Sequence, residues 1–179
     1  MSGDTRMEHD GWVAAVGAQF GAGMDMLERA ITACPDPLWG DRSRNPEYWY
    51  TVFHVLFWLD LYLSETRAGF APPPPFGLEE LDPAGVLPPR VYTQDELLAY
   101  LAHCRTKCTA RLASQAGPPT FRLSSVELPI GELHLYNLRH LQHHVGQLYL
   151  ILRQATDATP GWVSRGAAVP ATTAPGDSR

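Results

Sequence analysis

The sequence lacks what an exported or nucleic-acid-binding chain needs. It has no basic cluster and a formal net charge of −5. That balance argues against nucleic acid or an anionic membrane as the main partner, since both demand a positive footprint, and makes a small molecule the expected ligand. Only three cysteines are present, Cys34, Cys104 and Cys108. An odd number without the spacing of a metal finger excludes a disulfide framework and points to a reducing compartment, the cytoplasm. The opening residues show no basic and then apolar leader. The longest apolar run is Tyr48 to Leu63, with thirteen of sixteen residues apolar. It falls short of the ~20 residues a bilayer requires and carries His54 and Asp60, so it reads as a buried helix.

With 179 residues, 45% of them apolar, the chain has material for one domain and one sizeable core. Four helical segments can be placed, with no convincing run of strands between them, and the expected fold is all-α. The first spans His9 to Ala33, where Val13, Val16, Phe20, Met24, Leu27 and Ile31 recur at three- and four-residue spacing. Pro35 and Pro37 end it. The second opens on Asn45 as N-cap, with Pro46 and Glu47 in the first turn, and runs to about Ala68. Because it is apolar almost all the way round, it must be covered on more than one face, by a central place in the fold or by a second copy.

Residues Gly69 to Tyr92 hold seven prolines and read as an extended connector, long enough to cross the length of a bundle. Thr93-Gln94-Asp95-Glu96 forms a capping box that starts the third helix, which runs to about Gln115. The fourth runs from near Pro129 to Thr156. The domain is therefore placed at residues 1–156 and a flexible tail at 157–179, with Trp162 as its one potential anchor.

Four of the seven histidines lie between residues 134 and 144. On a helix advancing 100° per residue, His140 and His144 fall within ~40° of each other on the apolar arc, together with Leu133, Asn137 and Leu148. Imidazoles one turn apart can reach one ion. A third ligand is then needed, and His54 is the best candidate, being one of three non-apolar residues in its run. Tyr50 and Glu47 share its face and could sit behind it, whereas Asp60 points ~120° away. His143 flanks the pair, and Asn137 could orient a ligand, touch substrate or merely satisfy a polar spot. His9, His103 and His134 read as ordinary polar positions. Each histidine has a bland alternative as a satisfied core residue. Cys104 and Cys108, also one turn apart, read as small core residues.

The segment Gly131 to Leu152, with Asn137, the cluster His140-x-x-His143-His144 and the following Gly146-Gln147, resembles the last helix of the DinB (damage-inducible) superfamily of bacterial metalloenzymes. His54, in a long aromatic helix, matches that family's first metal ligand. The resemblance covers residues 9 to 156. It implies a four-helix bundle of up-down-down-up connectivity, a divalent metal such as zinc or nickel on His54, His140 and His144, and a homodimer. Relatives in the family include transferases and isomerases that use a low-molecular-weight thiol. Val145 stands where an arginine is frequent in the family's His-His-Arg-Gly-Gln version.

Three neutral imidazoles leave coordination positions open, as catalytic sites do. The expected activity is a metal-dependent S-transferase or hydrolase. The alternative is a non-catalytic, metal-stabilised helical binding or stress-response module acting as a homodimer. No general base stands out, Glu47, Glu127 and Glu132 being the candidates.

Overall fold

The Tyr48 to Leu63 run sets the architecture, because a helix that is apolar on nearly all sides can only be stable with neighbours on nearly all sides. The computed structural model describes residues 2–114, 117–158 and 160–167, with side chains from residue 10 onward. Four long helices carry it: α1 (Ser2–Ala33), α3 (Tyr48–Tyr62), α4 (Gln94–Ala113) and α5 (Ile130–Thr156). A single turn, α2 (Asp36–Trp39), follows α1, and a 3-10 turn spans Glu79–Leu81. Both α1 and α3 pack against α4 and α5. Of the fifteen residues of α3, twelve are buried within the one chain, so its apolar faces need no second copy to cover them. No described helix is long and apolar enough to cross a membrane.

Several boundaries differ from the sequence reading. The first helix begins at Ser2, since nothing in residues 2–8 stops it. Pro35 does end it, but Pro37 then sits in the first turn of α2, a position that needs no backbone donor. The second long helix starts after Glu47, not Asn45: Glu47 is extended (φ −64°, ψ 150°), and its carbonyl accepts from the Thr51 amide and hydroxyl. It stops at Tyr62, because the Ser64 hydroxyl donates to the Asp60 carbonyl and the Thr66 hydroxyl accepts from the Ala68 amide. Such bonds offer the backbone an alternative to the next helical turn. The capping box at Thr93 is present, with Thr93 Oγ1 accepting from the Glu96 amide and Glu96 Oε2 from the Thr93 amide.

The all-α expectation needs one amendment. Residues Thr120–Leu123 (β1) and Val126–Pro129 (β2) pair as an antiparallel hairpin, with Phe121 opposite Leu128 and a turn at Ser124 (φ 54°). The alternation Phe-Arg-Leu and Val-Glu-Leu around Ser-Ser is a period-two pattern too short to stand out beside four long helices. It places Phe121 in the core, edge-on to Tyr62 of α3.

The connector between α3 and α4 is also more ordered than its proline content suggests. Phe76 is buried, stacked on Tyr100 of α4 at 4.5 Å and edge-on to Tyr92 at 4.8 Å. Past α5, the part of the expected tail that is described lies along α1. The Gly166 amide donates to the Ala18 carbonyl, Gln19 Nε2 to that of Ser164 and Arg29 Nη1 to that of Gly161. A Cβ on Gly166 would stand 2.4 Å from the Gly21 carbonyl carbon, so only glycine permits this approach. Trp162 is not the anchor: it is 71% exposed. The flexible-tail expectation for residues 168–179 lies outside the described residues.

His134 is not an ordinary polar position. It is buried against α1, its ring edge-on to Phe20 at 6.4 Å, and its Nδ1 has no partner. Burial, and then the charge of Arg111, lowers its pKa to about 4. A histidine with a depressed folded pKa contributes fully above the unfolded pKa of ~6.5, and the contribution is lost as pH falls toward the folded value. Between pH 7.5 and 5, metal-free protein should therefore lose about 2 kcal/mol more than its His134→Leu variant, a difference that urea denaturation at the two pH values measures.

Candidate metal centre

Only three residues of α3 escape full burial, Tyr50, His54 and Trp58, and they lie one turn apart on a single stripe. On α5 the buried stripe is Leu133, Asn137, Leu141, Val145, Leu148 and Leu152. Tyr136, His140 and His144, again one turn apart, run along its half-buried flank and not, as the helical count suggested, along its centre. The two half-buried stripes meet. The His54 ring lies 5.3 Å from that of His140 and 4.8 Å from that of His144, and the last two are 4.6 Å apart. One ligand nitrogen from each of the three falls within 4.8 Å of the other two.

The hydrogen bonds around these rings fix which nitrogens face inward. Glu80, from the 3-10 turn of the connector, places Oε2 at 2.7 Å from His54 Nδ1. An ionised carboxylate only accepts, so Nδ1 carries the hydrogen, and the lone pair of the neutral ring is on Nε2 of His54. His144 Nδ1 lies 2.7 Å from Gln147 Oε1, which likewise leaves Nε2 free. His140 Nε2 is 3.3 Å from His54 Nε2, while its Nδ1 is buried without a partner. Burial, followed by the neighbouring His144 and His54, pushes the His140 pKa down to about 3; burial and then His54 push His144 to about 4. At neutral pH neither is protonated, so a metal ion meets no competing proton there.

These residues fit a divalent ion of intermediate softness. Three imidazoles with no carboxylate suit zinc, nickel, copper or iron, and do not suit magnesium or calcium. The orphaned His140 Nδ1 has a cost that an apolar residue at this position would avoid.

Other residues singled out from sequence lie elsewhere. Glu47 is outside the α3 helix and spends its carboxylate on Trp49 Nε1 (2.6 Å) and Arg42 (3.4 Å). It does not stand behind His54; Glu80 does, and sequence reasoning missed it. Tyr50 packs 6.4 Å from the His54 ring, and burial and then the neighbouring Glu80 raise its pKa. Asn137 is fully buried and donates from Nδ2 to the Leu59 carbonyl at 3.2 Å, tying α5 to α3. His143 is exposed beside His144, ring to ring at 4.9 Å. Glu127 bonds Thr120 on the exposed hairpin, and Glu132 is exposed in the first turn of α5. Cys34, Cys104 and Cys108 are free and buried, and burial pushes Cys34 and Cys108 up to about 12, which makes them poor nucleophiles.

The burial of Glu80 works to raise its pKa, but the hydrogen bond and electrostatic attraction of His54, and then the neighbouring Tyr50 and Trp58, outweigh it and hold the carboxyl below its ordinary value. Trp58 Nε1 donates to the same Oε2 at 2.8 Å. Tyr62 backs His140, with ring centroids 6.1 Å apart, and is itself covered by Tyr136 and by Phe121 of the hairpin.

Comparison with known proteins gives one match. A family model described as the DinB superfamily matches residues 19–148, a stretch that contains all three histidines and Glu80. Neither a curated protein nor a solved structure matches the chain.

Proposed function

Because the chain belongs to the DinB superfamily, we propose that it is a metal-dependent enzyme in which His54, His140 and His144 hold one divalent ion, zinc or nickel. The reaction we infer is an S-transfer using a low-molecular-weight thiol, or else a hydrolysis, carried out on a small molecule in the cytoplasm by a homodimer. One observation carries the reading: three imidazoles from two helices converge at a half-buried place with no carboxylate among them, and burial keeps two of them, His140 and His144, neutral at physiological pH. When bound, such an ion supplies Lewis acidity, able to lower the pKa of a water to ~7 or to hold a thiolate.

The protein's own contribution would be placement. Tyr50, Trp58 and Tyr136 are half-buried beside the histidines, where they can pack on the body of a substrate and exclude water around it. His143 and Gln147 are exposed at the edge of the same place, and either can bond a polar group. With the fold taken as the family's up-down-down-up bundle, the connector is the crossover between the second and third long helices.

The test is metal content by plasma mass spectrometry on untagged protein, wild type beside the His140→Ala/His144→Ala double variant. The expected result is about one ion per chain in wild type and none in the variant, followed by loss of any thiol-transfer or hydrolytic turnover on chelation. Wild type that carries no metal and takes up neither zinc nor nickel would overturn the proposal. A metal-loaded protein whose melting temperature falls on chelation, with no turnover found, would favour a non-catalytic module.

A further inference from the structure

A carboxylate buried among aromatic rings needs an explanation, and Glu80 is such a group. Its side chain is 4% exposed, Oε2 takes hydrogen bonds from His54 and Trp58, and Oε1 is buried with no partner at all. Among the described residues, His54 is the one basic side chain within ion-pairing distance of it. In the metal-free protein this is an unfavourable arrangement: a buried carboxylate with one of its two oxygens unpaired. It becomes favourable if a positive charge arrives on the other side of the His54 ring.

We propose that Glu80 is a positioning residue that the connector contributes to the metal centre, fixing His54 as the Nδ1–H tautomer with Nε2 aimed at the ion and raising its basicity as a ligand. The inference rests on the metal reading above. Three features carry it. First, the acceptor on Nδ1 is a carboxylate and not a backbone carbonyl, so the bond is charge-assisted and its 2.7 Å length accords with that. Second, the carboxylate is itself held by Trp58 Nε1 at 2.8 Å, from the same stripe of α3 that carries His54. Third, Phe76 anchors the connector four residues earlier, stacked against Tyr100, which keeps the 3-10 turn in place. A carboxylate bonded to Nδ1 lies on the far side of the ring from Nε2, so Glu80 is not the general base. Metal-bound histidines commonly use such a partner, and its loss typically weakens metal binding 10- to 100-fold.

The test combines two readouts on full-length wild type, Glu80→Gln and Glu80→Ala. The first is zinc affinity by competition with a chromophoric chelator. The second is the tautomer of His54 in metal-free protein, from its imidazole nitrogen chemical shifts. Glutamine keeps the acceptor and loses the charge; alanine loses both. Expected are an Nδ1–H tautomer for His54 in wild type, zinc bound roughly 10-fold more weakly by Glu80→Gln, and roughly 100-fold more weakly by Glu80→Ala with the tautomer no longer fixed. A strut that only holds the connector would lower the melting temperature of both variants without moving the tautomer or the affinity. Wild-type zinc binding with both variants within twofold of it, or an Nε2–H tautomer in wild type, would overturn the assignment while leaving the metal site intact. Failure of wild type to bind either zinc or nickel would overturn the metal reading, and the assignment with it.

Discussion

Replacing Lys107 by methionine should destabilise the protein by about 3 kcal/mol or somewhat more, while leaving zinc uptake unchanged. The reason lies on the side of α3 away from the histidines. Asp60 is completely buried there, and its carboxylate is a charge that must be matched. Lys107 of α4 pairs with Oδ1 and also donates to Ser64 Oγ at 2.8 Å; Tyr100 donates to Oδ2 at 3.0 Å, and His103 Nε2 stands 3.4 Å from Oδ1. Lys107 is the only lysine in the chain. Methionine keeps an apolar stem to pack against Phe70, whose ring the ammonium overlies at 5.3 Å, but it leaves Asp60 without its cation. Breaking a buried pair from one side costs ~3 to 5 kcal/mol because the remaining charge is uncompensated. The lower end applies here, since the Lys107 side chain is 27% exposed and water can reach the pair along it. Asp60→Asn in the Lys107→Met background should recover most of the loss, the amide still accepting from Tyr100. Chemical denaturation of the single and double variants measures both steps, and a Lys107→Met protein as stable as wild type would show that Asp60 needs no cation.

Asp60 also illustrates how far the sequence could be read. Helical angles correctly turned it away from His54, because both residues lie inside α3 where 100° per residue holds. The same count failed for Glu47, since it assumed that the helix was already under way at Asn45. The chain becomes helical only at Tyr48, and the Glu47 side chain turns to Trp49 and Arg42 instead. The long helices were legible because each has three or more turns of apolar spacing, and Thr93 and Pro129 mark two of the starts. The hairpin and α2 are too short for periodicity to register. Glu80 was the costliest omission. Its partner is 26 residues away across a proline-rich stretch, where neither periodicity nor capping carries information. The available signal was local: two consecutive acids, Glu79-Glu80, framed by Leu78 and Leu81 in a proline-rich connector whose other charged residues are Asp82 and Arg90. His140 and His144 could be placed on one side of α5 from spacing alone. That they occupy the flank, half open to solvent, depended on where α3 packs, which is a tertiary fact.

His140→Leu should separate what the site does from what the fold needs, raising the stability of the metal-free protein by about 1 kcal/mol and abolishing zinc uptake. In the metal-free chain, His140 buries Nδ1 without a partner, and its Nε2 has only the 3.3 Å contact with His54 Nε2. Leucine removes the orphaned nitrogen and gains apolar contact with Tyr62, which backs the ring. The lost contact costs little, because the His54 side chain is 28% exposed and water can reach it. With zinc present the order reverses. A ligand that binds only the folded state adds RT ln(1 + [L]/Kd), ~4 kcal/mol when free zinc is a thousandfold above Kd, and the variant gains none of it. Thermal or chemical denaturation with and without zinc, on both proteins, gives all four values. If leucine instead destabilised the metal-free protein by the ~2 to 5 kcal/mol of a core truncation, His140 would be a packing residue whose nitrogens are incidental. The crossing of the two stabilities is the mark of a residue kept for binding against the preference of the core around it.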